Sequence, residues 1–256
     1  MVRRINLAPI LLLCLSLVSC RHESQVVILG GGNVKVVEPC AVNESETLAA
    51  VHAIVDKGRK AVDDIKRPVL GESAGPLEKF IPESPLMNFA ADALLAMAQR
   101  YSSVPVDVAI TNKGGLRSNL PQGVITFGDI YNVFPFENTL AFLTLDGGQL
   151  LALCREIASV GGEAVSGMEL VITPDGELVD AAVGGKPIEP SRRYRIATSD
   201  YLSQGNDKMT TLASGMDKVV REDAVIRDLM VQYVKELTAR GKKLRAECDG
   251  RIKVKK

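Results

Sequence analysis

The sequence lacks the residues on which most hydrolytic centres depend. Its 256 residues include no tryptophan, two histidines and only 4% aromatic residues. A catalytic metal centre needs several histidines and carboxylates together, and neither His22 nor His52 has a partner at ligand spacing. A serine nucleophile would lack a histidine base, and no Walker phosphate loop is present. Taken alone, the residues therefore indicate no catalytic centre, and any aromatic residue in a loop stands out.

Neither the charge nor the cysteines indicate a nucleic-acid site or a zinc site. Basic and acidic residues number 31 each, whereas a nucleic-acid-binding protein normally carries a basic face. Beyond Cys20, the cysteines are Cys40, Cys154 and Cys248, an odd number whose spacings match no zinc motif. At most one disulfide can form among them, and buried thiols are the simpler expectation.

The N-terminal stretch MVRRINLAPILLLCLSLVSC has the pattern of a secretory signal, with two arginines followed by an apolar run. Its ending, LVSC, resembles a bacterial lipobox, which implies cleavage before Cys20 and lipidation of that cysteine. An ordinary signal peptide or a membrane helix is the alternative, although the run is short for a span. We therefore predict a lipoprotein signal over 1–19, an anchor and tether over 20–45, and one domain over 46–256. The predicted location is the bacterial cell envelope, on the periplasmic or outer-membrane side.

Beyond the tether, helical and strand patterns are mixed without a repeating βα unit, which predicts an α+β fold with mixed strand directions and flanking helices. Ser84 followed by Pro85 is expected to begin a buried, almost wholly apolar helix. Further helices are predicted over 45–66 (capped by Ser45 or Thr47), over 127–133, after Asp146, and over EDAVIRDLMVQYVKELTARG up to Gly241. The segment VVILGGGNVKVV is predicted to be a hairpin, and SGMELVIT pairs with LVDAAV in another. Further predicted elements are the strands VPVDVAIT, 139–145, RRYRIATS and RIKV, and the polar loop DYLSQGNDKM.

Three segments carry a resemblance to a known family. They are TNKGGLR (111–117) with the following LPQG, FPFEN (134–138), and SDYLSQGND (199–207). Upstream, PESPLMNFAADAL (82–94) fits the same order. Together these segments resemble the C-terminal domain of the 5'-nucleotidase / UDP-sugar hydrolase family, over most of residues 70–254.

In that family an N-terminal domain is a two-metal phosphoesterase, and the C-terminal domain binds the substrate. The resemblance implies that Phe136 and Tyr201 stack on the base and that Asp207 accepts hydrogen bonds from ribose hydroxyls. Arg117 would face the phosphate and the nucleoside, together with Asn112 and Gly115. It implies no catalytic residue and no cofactor in this chain, because the two divalent metals would belong to a partner domain.

Each of these residues has a less specific explanation. Arg117 alone fits a loop salt bridge, the two rings fit aromatic side chains folded back on the core, and Asp207 fits an ordinary turn residue. The chain also departs from its relatives. Phe80 stands where many have a further phosphate-binding arginine, with Lys79 beside it expected to point elsewhere. Lys113 and Asn206 interrupt glycine runs, and Met87 replaces a small residue. These departures favour a nucleoside or monophosphate over a di- or triphosphate.

The sequence thus predicts the nucleotide- or nucleoside-recognition subunit of a split 5'-nucleotidase, acting in nucleotide catabolism with a separate metallophosphatase chain. One alternative is a non-catalytic, lipid-anchored nucleoside- or nucleotide-binding protein. Another is a degenerate domain whose loops bind nothing.

Overall fold

The computed structural model describes residues 26–29, 32–35 and 46–255, with backbone alone for the two short segments and for 46–47. The chain divides into two compact units, Met1–Lys57 and Gly58–Lys256. In the first, β1 (Val26–Leu29) and β2 (Gly32–Lys35) form an antiparallel pair, which confirms the predicted hairpin. Helix α1 (Glu46–Lys66) follows and contains the boundary between the units. The predicted signal over 1–19 and Cys20 lie outside the described residues, and the domain boundaries stay predictions.

A five-stranded sheet forms the centre of the second unit. Its strands are β4 (Val108–Thr111), β6 (Thr139–Asp146), β7 (Ala164–Ser166), β11 (Arg193–Ser199) and β12 (Met216–Val225). They lie in the order β12-β6-β11-β4-β7. Strands β11 and β4 are parallel, and the other neighbouring pairs are antiparallel. The predicted α+β fold with mixed strand directions is confirmed.

Two smaller sheets complete the strand content of this described unit. One contains β8 (Met168–Ile172), β9 (Leu178–Val183), β10 (Lys186–Pro187) and β13 (Ile252–Val254). In it, β8 and β9 form the predicted antiparallel hairpin, and β13 pairs parallel to β8. The other sheet pairs β3 (Val69–Ser73) with β5 (Gly123–Thr126).

Helices cover both faces of the central sheet. They are α2 (Pro85–Tyr101), α3 (Phe127–Val133), α4 (Gly147–Ser159), α5 (Asp200–Ser203) and α6 (Ile226–Ala239). Because side chains alternate along a strand, Leu140 and Phe142 of β6 pack into the core that contains α2 and α6. Leu143 and Leu145 pack into a second core with α4. The sheet therefore separates two hydrophobic cores, and the loops at its strand ends are left to carry chemistry.

Local signals determine where several helices begin and end. Ser84 Oγ accepts a hydrogen bond from the N–H of Met87 at 3.2 Å, and Pro85 occupies the first helical position of α2, as predicted. Asp146 caps α4 in the same way. Gly241, with φ of +66°, follows α6 in a left-handed conformation that glycine adopts without steric cost.

Other boundaries differ from the prediction. Helix α6 begins at Ile226, because 216–225 form β12, an edge strand whose mostly exposed residues show no apolar alternation. The segment predicted as a polar loop after β11 begins with α5, capped by Ser199 Oγ on the N–H of Leu202 at 3.0 Å. Strand β4 begins at Val108 rather than at Val104, since Pro105 has no N–H for a ladder.

The early helix also differs in detail. Helix α1 begins at Glu46, so Thr47 lies within its first turn rather than at its cap, and Ser45 is outside the described residues. Most of its apolar positions, including Ile54 and Ile65, are exposed, as is His52. Helical spacing therefore identified the helix without identifying a buried face.

The motif around Glu83 acts as a structural clamp. The Glu83 carboxylate is 6% exposed. It accepts hydrogen bonds from Asn88 Nδ2 at 2.7 Å, from the N–H of Asp249 at 2.7 Å and from the N–H of Gly250 at 3.1 Å. A buried carboxylate needs several donors of this kind. It ties the beginning of α2 to the chain that enters β13.

The cysteines and helices of the described part add two findings. Cys154 is buried and Cys248 exposed, and both are free, while Cys40 lies outside the described residues. Burial raises the pKa of the Cys154 thiol to about 12, so this thiol stays protonated at neutral pH.

Within 46–255 no helix is long and apolar enough to cross a membrane.

Candidate functional site

One pocket, with a volume of about 370 Å³, contains all six residues predicted to bind substrate. Three chain segments separated by other elements contribute to it: the loop after β4, the loop before β6, and the segment that begins with α5. Its lining residues are Asn112, Gly114, Gly115, Arg117, Phe136, Asn138, Tyr201 and Asp207. The fold thus brings together side chains that are up to 95 positions apart in the sequence, as Asn112 and Asp207 are.

The loop after β4 is a tight turn of 3-10 type over Lys113–Gly115. A Cβ atom at Gly115 would lie 2.8 Å from Oδ1 of Asn112, closer than real Cβ contacts come. Gly114 meets no such restriction, since its nearest neighbours would lie 3.6 Å away. Gly115 therefore allows the buried Asn112 side chain to lie against the turn.

Lys113, which interrupts the glycine run expected here, points away from the pocket and anchors the loop. Its Nζ donates to the carbonyl oxygens of Val160 at 2.9 Å and Gly162 at 2.8 Å, and to Oε1 of Glu163 at 2.9 Å. The N–H of Lys113 donates to Oε2 of the same glutamate. Burial raises the pKa of Glu163, and the hydrogen bonds and charge of Lys113 oppose that rise.

Lys79 anchors the same loop from another direction. Its Nζ donates to the carbonyl oxygens of Leu116 at 2.6 Å and Lys113 at 3.2 Å. Phe80, at the position where the resemblance leads us to expect an arginine, is an exposed ring and does not line the pocket. Two lysines thus hold the backbone of this loop.

The N–H groups of this loop are largely used within the protein. Gly115 donates to the carbonyl of Asn112 at 3.0 Å, Leu116 to Lys113 at 3.3 Å, and Arg117 to Val133 at 2.9 Å. The loop therefore presents a guanidinium rather than a row of N–H groups. The Arg117 side chain is exposed, with a long contact of 3.3 Å from Nη1 to the carbonyl of Gly114.

Two aromatic rings line the pocket and remain substantially exposed. Phe136 lies in the loop between α3 and β6 and is 50% exposed. Tyr201 lies in α5 and is 39% exposed. Neither ring is folded into the core, which was the alternative for each. Exposed aromatic faces of this kind suit stacking on a flat ligand.

A chain of hydrogen bonds connects three pocket residues. Asn112 Nδ2 donates to Oδ2 of Asp207 at 2.5 Å, and the Tyr201 hydroxyl donates to Oδ1 of the same carboxylate at 2.9 Å. The second bond raises the pKa of the Tyr201 phenol. Asp207 has φ of +53°, a left-handed conformation that aspartate tolerates better than most residues. Asn206, which interrupts the expected glycine pair, donates through Nδ2 to the carbonyl of Tyr201 at 2.8 Å.

Further residues at or near the pocket were not predicted to act there. Asn138 lines it but lies in the second motif without a distinguishing signal, and Lys79 and Glu163 act through loop backbone. Arg227 lines a small recess next to the pocket. An arginine in an amphipathic helix is normally interpreted as a surface residue, so no sequence signal pointed to it.

The described residues also bear on metal binding. Among 26–29, 32–35 and 46–255, no group of three or more histidine, cysteine, aspartate or glutamate side chains is arranged to hold a metal ion. The pocket consists instead of aromatic, amide, carboxylate and guanidinium groups.

Comparison with known proteins identifies similar sequences. A family model described as "5'-nucleotidase, C-terminal domain" matches residues 69–214. The chain is 30% identical over 219 residues to the trifunctional nucleotide phosphoesterase protein YfkN of Bacillus subtilis (strain 168), covering 78% of this chain and 15% of YfkN. It is 28% identical over 151 residues to protein UshA of Yersinia enterocolitica, covering 56% of this chain and 27% of UshA. The chain thus spans between 15% and 27% of these curated relatives.

Solved structures agree with the sequence matches. The 5'-nucleotidase precursor from Thermus thermophilus is similar with a TM-score of 0.68 and 26% identity, over 81% of this chain and 43% of that one. The NAD nucleotidase of Haemophilus influenzae has the same fold, with a TM-score of 0.61 at 19% identity, over 80% of this chain and 41% of that one.

Proposed function

The chain belongs to the family of 5'-nucleotidase C-terminal domains, and from this premise we propose that it is the substrate-recognition subunit of a split 5'-nucleotidase. In this proposal it binds a nucleotide or nucleoside, and a separate metallophosphatase chain hydrolyses the phosphate ester in nucleotide catabolism. The observation that carries the proposal is the convergence of the six predicted residues in one open pocket.

The chemistry of the pocket supports a nucleoside ligand. A base between Phe136 and Tyr201 would gain about 1–3 kcal/mol per ring from stacking. Asp207 offers a carboxylate to a ribose diol, and its orientation is already determined by Asn112 and Tyr201. Displacing the Tyr201 hydroxyl from Asp207 would free an acceptor for the sugar at little cost, since that bond is exposed.

The phosphate side of the pocket supports a ligand with at most one phosphate group. Arg117 is the one arginine among the pocket's lining residues, and its fork of donors suits phosphate oxygens. Lys113 and Lys79 are close in sequence or space but are bound to carbonyl oxygens and Glu163. We therefore propose a nucleoside or a nucleoside monophosphate as the ligand, rather than a di- or triphosphate.

The catalytic step is proposed to belong to a partner. The described residues do not fit a metal pair, so no step is assigned to a metal on this chain. Two divalent metals on the metallophosphatase would supply the hydrolytic chemistry, while this chain binds and orients the substrate. Lipidation of Cys20 would hold the complex at the bacterial cell envelope, on the periplasmic or outer-membrane side.

A non-catalytic, lipid-anchored nucleoside- or nucleotide-binding protein is the second candidate. The observation in its favour is the phosphate side of the pocket, where Phe80 and Lys113 supply no phosphate ligand. Both candidates need the same pocket, and they differ only in the need for a partner.

Calorimetric titration of the purified chain with adenosine, inosine, AMP and UMP tests the pocket. We expect saturable binding that Tyr201→Ala and Arg117→Ala weaken, the latter for monophosphates alone, while Arg193→Ala, an exposed arginine outside the pocket, leaves it unchanged. An absence of binding by any nucleoside or nucleotide would reject both candidates and favour a degenerate domain.

An AMP hydrolysis assay then separates the two candidates. The chain alone is expected to release no phosphate, and release should appear when metallophosphatases of the same cell envelope are added with a divalent metal. If binding is present but no such phosphatase gains activity from the chain, the binding protein is the correct alternative.

A further inference from the structure

Two large apolar side chains lie next to each other on the surface, outside the pocket. Phe80 is 48% exposed and Ile81 is 59% exposed. Neither residue lines the pocket, so binding of the proposed ligand does not cover them. A single exposed apolar residue needs no explanation, but an exposed group that adjoins a functional site can mark a contact with another molecule. The position of the Phe80–Ile81 pair therefore decides what it means.

The backbone places Phe80 beside the residue proposed to hold the phosphate. The N–H of Leu77 donates to the carbonyl of Leu120, and the N–H of Leu120 donates to the carbonyl of Leu77, both at 3.0 Å. These bonds form an antiparallel bridge. Continuing its register three residues along each chain brings Phe80 level with Arg117.

The contacts of Lys79 confirm this placement. Its N–H donates to Oδ1 of Asn119 at 3.0 Å, and its Nζ donates to the carbonyl of Leu116 at 2.6 Å. These two acceptors lie on either side of Arg117 in the sequence. The residue before Phe80 is thus bound along the same stretch of chain that carries the guanidinium.

Ile81 extends the surface away from that stretch towards the turn after α4. A Cβ atom at Gly161 would lie 3.5 Å from Cδ1 of Ile81, an ordinary contact distance. The same turn is bound to the loop after β4, because Lys113 Nζ donates to the carbonyl oxygens of Val160 at 2.9 Å and Gly162 at 2.8 Å. The Phe80–Ile81 pair therefore lies between two segments that hydrogen bonds hold together.

The proposed reaction requires a second protein at this place. If Arg117 holds the phosphate, the metals of the partner must reach the same phosphate, so the partner's surface must lie against residues level with Arg117. Phe80 is one of these, and the exposed polar residues Ser118 and Asn119 are others. An apolar centre that contains an aromatic ring, with polar residues around it, is the usual composition of a protein–protein contact.

From these observations we propose that the Phe80–Ile81 pair is the docking surface for the metallophosphatase, which covers it while its metals reach the phosphate at Arg117. The inference rests on the proposed function and adds where the two chains meet. A second copy of this chain, or another segment of the same chain, would cover the pair without any phosphatase. The experiments below separate these occupants.

An activation titration tests the docking surface. The full chain is titrated into a purified metallophosphatase that hydrolyses AMP in its presence. Phe80→Ser should raise the chain concentration needed for half-maximal activation on the order of tenfold or more, the scale of a truncated aromatic anchor. Phosphate release at saturating concentration should recover, because Arg117 and the pocket are unaltered. Equal half-maximal concentrations for the unaltered chain and Phe80→Ser would overturn the proposal.

A matched control is Val104→Ser. Val104 is 50% exposed and precedes β4, whereas the pocket loop follows that strand. This variant should activate the phosphatase as the unaltered chain does. Calorimetry with AMP should give the same affinity for Val104→Ser, Phe80→Ser and the unaltered chain. A loss of AMP affinity in Phe80→Ser would show that the ring acts in the pocket, which would overturn its role in docking.

Thiol labelling shows what covers the pair. Ile81→Cys, labelled with a maleimide and followed by peptide mass spectrometry, should react rapidly in the chain alone and slowly once the phosphatase is added. Val104→Cys should react at the same rate in both cases. Slow labelling of Ile81→Cys in the chain alone would show that the same chain or a second copy covers the pair, and would overturn the proposal.

These results also distinguish this inference from the function on which it rests. If no metallophosphatase releases phosphate with the unaltered chain, the split nucleotidase is rejected, and the docking surface with it. If activation occurs but does not respond to Phe80→Ser, only the docking surface is rejected.

Discussion

Replacing Lys113 with alanine is expected to destabilise the fold by a pH-dependent amount. The Lys113 Nζ lies 2.9 Å from Oε1 of Glu163, and the two side chains are 26% and 4% exposed. Removing one partner of a buried ion pair costs about 3–5 kcal/mol. Since Lys113 is a quarter exposed, water would reach part of the vacated space, and we expect about 2–3 kcal/mol for Lys113→Ala.

Substitution of the other partner of this ion pair, Glu163, should cost less stability than Lys113→Ala. Glu163→Ala leaves the ammonium of Lys113 with the carbonyl oxygens of Val160 and Gly162 and with solvent, so we expect a loss of about 1–2 kcal/mol. The double variant Lys113→Ala, Glu163→Gln removes the buried charge altogether. It should recover at least about 1 kcal/mol relative to Lys113→Ala, because an amide costs less to bury than a carboxylate.

The sign of the pH dependence follows from the pKa of Glu163. Burial raises that pKa, and Lys113 opposes the rise, so the pKa rises further in Lys113→Ala. A carboxyl group with a raised folded-state pKa binds its proton more tightly in the folded protein. Its stabilising contribution is complete below the unfolded value of about 4.3 and is lost as pH rises through the folded value. Lys113→Ala should therefore lose stability, relative to the unaltered chain, as the pH rises above the unfolded value of about 4.3.

Urea unfolding followed by circular dichroism at a series of pH values measures these differences. The double variant serves as the control, since glutamine does not titrate and the pH-dependent loss that the Glu163 carboxyl causes in Lys113→Ala should be absent from it. A loss below about 1 kcal/mol for Lys113→Ala at neutral pH, or a loss that is the same at every pH, would refute the reasoning.

Three further outcomes are expected. Tyr201→Phe keeps the ring and removes the hydroxyl that donates to Asp207, whereas Tyr201→Ala also removes about 1–3 kcal/mol of stacking. Calorimetry should therefore show a smaller loss of nucleoside affinity for Tyr201→Phe, and equal losses would contradict a stacking role. Glu83→Ala removes the buried acceptor that ties the chain before β13 to the beginning of α2. It should lower the free energy of unfolding in urea by about 3 kcal/mol or more and speed hydrogen exchange over 249–252. Unchanged protection of these amides would contradict the role of Glu83 as a clamp. The hydrogen bond from Arg100 lowers the pKa of Glu236 to about 2. The stability that this pair contributes is therefore present above the ordinary glutamate pKa and is lost as the pH falls towards 2. Glu236→Gln should flatten the acid side of a plot of melting temperature against pH, and an unchanged acid side would refute the link.

Local signals predicted those elements that local chemistry determines. Helix α2 follows from Ser84 and Pro85, because a capping hydroxyl and a fixed φ act within a few residues. Strand β12 was missed, since an exposed edge strand has neither an apolar face nor a turn at its end. Its residues 222–225 were instead attached to the helix that follows, whose amphipathic pattern has no sharp beginning.

The residues of the site also divide into those that the sequence predicted and those that it did not. The six pocket residues were identified through motifs, which carry positional information that composition lacks. The ties that hold their loops were not identified, because Lys113 and Glu163 are 50 positions apart and neither has a periodic or motif signal for the other. Arg227 was missed for a similar reason, since its burial depends on how α6 lies against the loop before β6.

These ties bear on how the pocket binds a ligand. Lys79 and Lys113 hold the loop after β4, Asp207 is bonded to Asn112 and Tyr201, and the guanidinium of Arg227 contacts residues beside Phe136. A pocket whose parts are already oriented loses less conformational entropy on binding, so we expect it to bind a nucleoside without a second domain. The exposed Arg117 differs from these side chains, because it is held by one long contact within its own loop. We infer that the phosphate end of a bound nucleotide faces this less restrained side, where a partner phosphatase would need access to the scissile bond.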